Sequence, residues 1–182
     1  MKIVAPLLGA LLLAACGAIS GSPLANSDET DQVEPTRTGT GVATCGLMPL
    51  AEVAAKSPFQ TPIVSAKASD DQQTCTYSSA EDSGDQVSIV IAATDYPTAR
   101  KARSALDDAR QAAVDHGLPV NDIDLPGDVA FSSGVDEVTV QAVAGDRLVT
   151  VTLQGEWPDT TDDAKIAAGT ELVRTMISRL AT

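Results

Sequence analysis

The first 44 residues decide how much of this 182-residue chain is left to build a fold. Met1 and Lys2 lead into an apolar run, Ile3 to Leu13, which ends in Ala14, Ala15 and Cys16. That run is too short to cross a bilayer as a helix, which takes roughly 20 apolar residues, and it has the length of a signal-peptide core. Lys2 supplies the positive start, and Ala14 and Ala15 are the small residues a signal peptidase needs before its cut. From Gly17 to Thr44 the composition turns to Gly, Ser, Pro, Thr and acids, which predicts a flexible tether. Asp28, Glu29 and Asp31 form a small acidic cluster within it that serves solvation. The expected organisation is a leader over 1–15, a tether over 16–44 and a single domain over 45–182, too short for two comfortable cores.

Cys16, placed directly after Leu13, Ala14 and Ala15, resembles the lipobox of bacterial lipoproteins. In that family the peptidase cuts before the cysteine, and its thiol and new amine carry acyl chains such as palmitate. An ordinary secretory signal with an incidental cysteine is the plainer alternative, but an apolar run ending this way so close to Met1 rarely arises by chance. The resemblance implies lipid attachment at Cys16 and residence on the outer face of the cell membrane. Several acyl chains make such an anchor durable where one is marginal.

Charge points the same way. The net charge is -13 and the pI about 4.2, so an anionic membrane surface repels the domain and the lipid has to hold it there. No basic patch is visible of the kind a nucleic-acid partner requires.

With Cys16 committed to lipid, Cys45 and Cys75 remain. An even pair in an exported chain predicts a disulfide, closing a loop of about 30 residues. A zinc site is incomplete with two thiols and one distant histidine, and a redox pair wants the close C-x-x-C spacing.

The domain's elements follow from its punctuation. Leu47, Leu50, Val53 and Ala54 recur at helical spacing, predicting a short helix over Pro49 to Lys56. Strands are expected at Ile63 to Ala66, Thr74 to Ser79 and Val87 to Ala93. Asp95 is the expected cap of a long helix with an alanine-rich stripe of Ala99, Ala102, Leu106, Ala109 and Ala113, ending at His116 before Gly117. Leu118 to Pro126 reads as a loop, and three more strands as Val129 to Ser132, Val138 to Ala144 and Leu148 to Gln154. Thr160 can cap a last helix burying Leu172, Val173, Met176, Ile177 and Leu180. The order α-β-β-β-α-β-β-β-α predicts an α+β fold, a mainly antiparallel sheet of about six strands with three helices packed on it. A short echo relates Tyr77, Ser78 and Ser79 before Val87 to Phe131, Ser132 and Ser133 before Val138.

Catalytic constellations are hard to find. There is no G-x-S-x-G elbow, Walker loop or dinucleotide fingerprint. His116, the sole histidine, falls at the negative end of a helix dipole, where it is favourable without any chemistry. Asp122, Asp124 and Gly127 hint at a calcium loop, but Pro126 interrupts it and Ser133 stands where a bidentate Glu is needed. Neither a metal nor a cofactor is expected. Trp157, the only tryptophan, lies between the last strand and last helix, where it can floor a ligand cleft or seal the end of a core. Gly169 interrupts the last helix, and close packing against a neighbour would explain it.

The lipobox, the tether and a domain opening Cys45-Gly46-Leu47-Met48-Pro49-Leu50, with a later Thr74-Cys75-Thr76-Tyr77, are together similar to small actinobacterial secreted lipoproteins that carry the domain of unknown function numbered 3558. Met48 and Pro49 depart from the commoner polar or leucine choices in that group. The resemblance implies an outer-surface lipoprotein and no particular activity. The expected function is a non-enzymatic, lipid-anchored binding or interaction module whose specific ligand the sequence leaves open, a protein partner or a small apolar ligand at the cell surface. The alternatives are a carrier of a lipid or other small apolar ligand between sheet and helices, and a hydrolase using His116.

Overall fold

The apolar run expected as a strand over Val87 to Ala93 becomes, from Ser88 on, an inner strand of one seven-stranded sheet, with Val87 just ahead of it. The computed structural model describes residues 43–181 apart from 83, 85, 126–127 and 156–159, so the leader, Cys16, the tether up to residue 42 and Trp157 lie outside the described residues, and Thr44, expected as the tether's last residue, belongs to the first helix. Two short helices open the fold, α1 (Thr44–Leu47) and α2 (Leu50–Lys56). Strands β1 (Ser65–Ala68), β2 (Thr74–Ser78) and β3 (Ser88–Asp95) follow, then α3 (Ala99–Asp115). Strands β4 (Val120–Leu125), β5 (Asp128–Ser133), β6 (Val138–Ala144) and β7 (Arg147–Gln154) precede α4 (Asp162–Leu180). The sheet runs β1-β2-β3-β7-β6-β5-β4 and is antiparallel throughout, so the expected α+β antiparallel class holds.

The counts differ from expectation, with seven strands and four helices among the described residues in place of six and three. The extra strand is β4, in the stretch that reads as a loop. Its Asp122 and Asp124 look like turn residues, yet they are the charged side chains of an edge strand, where like charge deters pairing with another chain. Ile123 and Leu125 alternate with them and face the core. The extra helix is α1, because Met48 and Pro49 split what the apolar spacing suggested was one face. Helix starts shift as well. Thr98, not Asp95, caps α3 by accepting from the Lys101 N–H, and Asp95 ends β3, where it takes the Arg147 guanidinium at 2.7 Å. Thr161, not Thr160, caps α4. The first strand starts two residues late, at Ser65, leaving Ile63 buried ahead of it.

Strand alternation sends each face of the sheet to a different helix layer. On one face Cys75, Tyr77, Ile89, Ile91, Val140, Val151 and Leu153 form the main core with α1, α2 and α4. On the other, Phe131, Val143 and Leu148 meet Ala102 and Leu106 of α3. The sequence echo is therefore no structural repeat, since Tyr77 and Phe131 face opposite layers. The α4 layer is close. A Cβ at Gly169 would stand 2.6 Å from Val140 Cγ2 and 3.0 Å from Leu153 Cδ1, which gives the glycine its packing reason. Lys165, buried at 3 % exposure, donates to the Asp136 carbonyl and ties the β5–β6 turn to the same helix. That turn is tight enough that a Cβ at Gly134 (φ +110°) would meet the Glu137 carbonyl oxygen at 2.0 Å.

Candidate functional site

The two domain cysteines meet as expected. Cys45 and Cys75 are disulfide-bonded with their Cα atoms 5.1 Å apart, joining α1 to β2. Around the bond the joint is polar and satisfied. The Thr44 hydroxyl donates to the Gln73 carbonyl at 2.8 Å, and the Tyr77 hydroxyl to the Met48 carbonyl at 2.6 Å. Arg179, from the end of α4, donates to the Leu47 carbonyl and reaches the Glu52 carboxylate at 2.5 Å. Burial pushes the Tyr77 phenol up to about 12, with Arg179 pulling weakly the other way. These groups hold elements together, and no exposed reactive atom emerges from them.

The other residues singled out in the sequence do not converge. His116 caps the C-terminal end of α3, exposed, and its imidazole has no hydrogen-bond partner among the described residues. Asp122 and Asp124 lie along β4, and Asp122 pairs with Arg110 of α3 at 2.6 Å, so they form no loop around a cation. Among the described residues no group of three His, Cys, Asp or Glu side chains is placed to hold a metal.

A surface that sequence reasoning missed stands out instead. Helix α3 packs on β4 to β7 and leaves the β1-β2-β3 side of its own face uncovered. The register lines up rows of mainly polar side chains across that side. Ser65, Ser78, Ser88 and Gln154 form one row. Lys67, Thr76, Val90, Thr152 and Thr139 form the next. Some of these groups satisfy each other. The Ser88 hydroxyl donates to Gln154 Oε1 at 3.0 Å, the Gln154 amide donates to Glu137 at 2.9 Å, and the Thr139 and Thr152 hydroxyls are 3.2 Å apart.

Together with the connection after β2, this face walls an open cleft of about 820 Å3. Ser65, Lys67, Thr76, Ser78 and Ser88 lie along its strands, Ser79, Glu81 and Gln86 on its rim, and Val87 is its one apolar residue. The side chains of Lys67, Thr76, Ser78 and Glu81 have no hydrogen-bond or ion-pair partner among the described residues. A smaller cleft of about 360 Å3 lies between the β6–β7 turn and the end of α4, beside Ile177 and Leu180.

The signal for the polar cleft is present in the chain, in the alternation Thr74, Thr76, Ser78 against Cys75 and Tyr77. It reads as an ordinary solvent face until the path of α3 is known. As a class, the chain is an α+β domain built on one antiparallel sheet with a helix layer on each face, one layer incomplete. No family model, no curated protein and no solved structure matches it.

Proposed function

We propose that this chain is a lipid-anchored extracytoplasmic lipoprotein, held on the outer face of the cell membrane through Cys16, that works as a non-enzymatic binding or interaction module. The leader ending in Leu13, Ala14, Ala15 and Cys16 supports the placement, as does the similarity to actinobacterial lipoproteins with the domain numbered 3558. The observation that carries the binding role is the uncovered polar side of the sheet, with an open cleft on a rigid, disulfide-stapled frame. Ligand sites are concave and use a few placed polar groups to fix orientation, and the mainly polar lining of this cleft suits a polar ligand. The alternative, carriage of a lipid or small apolar ligand, needs an apolar chamber between sheet and helices. The larger cleft opens to solvent and is polar, and the main core is filled by side chains such as Tyr77, Ile89, Leu153 and Met176, which favours binding over carriage.

The placement is tested with Cys16→Ala. Cells fed labelled palmitate should incorporate it into the parent chain and not into the variant, which should leave the membrane fraction. A variant that stays wholly with the membrane and keeps the label removes the anchor.

A further inference from the structure

We propose that the cleft on the uncovered sheet face binds a short zwitterionic peptide, with the α-carboxylate on Lys67, the α-ammonium on Glu81 and the backbone amides on the Thr76 and Ser78 hydroxyls. This inference rests on that face being the binding site. Its warrant is the set of groups the fold leaves unengaged. Most polar side chains of the cleft are committed to the protein: Ser88 to Gln154, Ser65 to the Ser78 carbonyl, Ser79 to the Val87 N–H. The four uncommitted ones are one cation, one anion and two hydroxyls, which call for a ligand with one charge of each sign and hydrogen-bonding groups between them.

Their order suits a peptide. Lys67 stands opposite Thr76 in the β1–β2 register, Ser78 follows on the same face, and Glu81 lies just beyond the end of β2. Glu81 is five residues beyond Thr76, and both charged residues line the cleft with Thr76 and Ser78 between them. A path of that length suits an extended di- or tripeptide, at about 3.3–3.6 Å per residue. A neutral glycan fits less well, because it has no use for either charge and the lining of this cleft includes no aromatic ring on which a sugar face can stack. Overall charge also selects. In a chain with 25 acidic and 12 basic residues, a purely anionic ligand meets general repulsion that a zwitterion does not. The cleft is open, so each charge contact is solvent-screened and the affinity is modest.

The test is saturation-transfer NMR on the full chain in detergent, with three probes: trialanine, trialanine capped at both ends, and chitotriose. Trialanine is expected to bind, and to weaken about 3- to 5-fold in Lys67→Met and again in Glu81→Gln, both exposed positions that leave the core untouched. Binding should also weaken with added salt. Lys67→Met should make no difference to the capped peptide. If trialanine and its capped form bind alike, or both variants bind as the parent does, the peptide assignment is wrong. If chitotriose binds in place of trialanine and is lost in a Thr76→Val, Ser78→Ala variant, the face remains the site and the ligand class falls. If none of the probes binds, the ligand class falls, and hydrogen exchange on intact cells that leaves β2 and β3 unprotected removes the face as well.

Discussion

Replacing Gly169 by alanine sets two opposed effects against each other, and the structure says which is larger. In a free helix the change is favourable by about 1 kcal/mol. In α4 the new methyl would stand 2.6 Å from Val140 Cγ2 and 3.0 Å from Leu153 Cδ1. Both neighbours are fully buried, on β6 and β7, whose pairing is fixed along their length by a continuous register. Val140 is β-branched, so its χ1 cannot swing the methyl aside cheaply. The helix must lift, and overpacking of this kind costs about 1–3 kcal/mol. With a 2.6 Å approach the cost exceeds the gain, and the net expectation is a loss of up to about 2 kcal/mol. In urea melts the midpoint should fall with an unchanged m-value, and Tm should drop by up to about 8 °C. Val140→Ala supplies the control. In that background the nearer obstacle is gone and Leu153 Cδ1, the end of a flexible side chain, can give way, so adding Gly169→Ala should stabilise by up to about 1 kcal/mol and the two changes couple. A rise in midpoint for Gly169→Ala alone would refute the close approach of α4 to β6.

Two further outcomes are expected from the joint at the start of the domain. Reducing the Cys45–Cys75 bond should cost about 3–4 kcal/mol for a loop of this length, read as a lower melting temperature, and an unchanged melt would mean the bond is absent in solution. Tyr77→Phe strips the Met48 carbonyl of its buried donor and should cost about 1–2 kcal/mol at neutral pH. The same residue sets a pH signature. Its phenol lies near 10 when unfolded and is raised to about 12 in the fold, so its contribution is complete below about pH 10 and disappears as pH rises toward 12. The stability difference between parent and Tyr77→Phe should therefore fall away across that window, and a flat difference would show that the phenol is not buried.

Much of the frame is readable from residue order alone. The apolar alternation of β2, β3, β6 and β7 and the stripe of α4 are strong periodic signals, and the pair Cys45 and Cys75 points to its own bond. Edges and joints are harder. β4 carries two aspartates because it is an edge, and the same residues mimic a loop. Adjacent threonines compete for the α4 cap, and which one wins depends on tertiary placement, with Thr160 turned instead toward the Pro58 carbonyl. The cleft is the least readable feature. Thr76, Ser78 and Lys67 say only that one face of their strands is polar. Whether that face is bare depends on the crossing of α3, which is set by where Phe131, Val143 and Leu148 place an apolar strip for Ala102 and Leu106. Trp157, the obvious sequence candidate for a ligand floor, is not among the described residues.

The bond between Cys45 and Cys75 also decides how the domain answers to being pulled. Tension applied to the chain ahead of Thr44 reaches Cys45 and passes through a covalent link to Cys75, inside β2. Residues 46–74, with α1's last turn, α2 and β1, hang outside the load path as a loop. The helix and strand after Cys45 are therefore spared, and beyond the Thr44 hydrogen bonds to residues 72 and 73 the strain falls on the pairing of β2 with β3, from Cys75 opposite Ile91 to Ser78 opposite Ser88. That strand is the one that carries Thr76 and Ser78, so a tug on the N-terminal side is felt directly in the floor of the cleft.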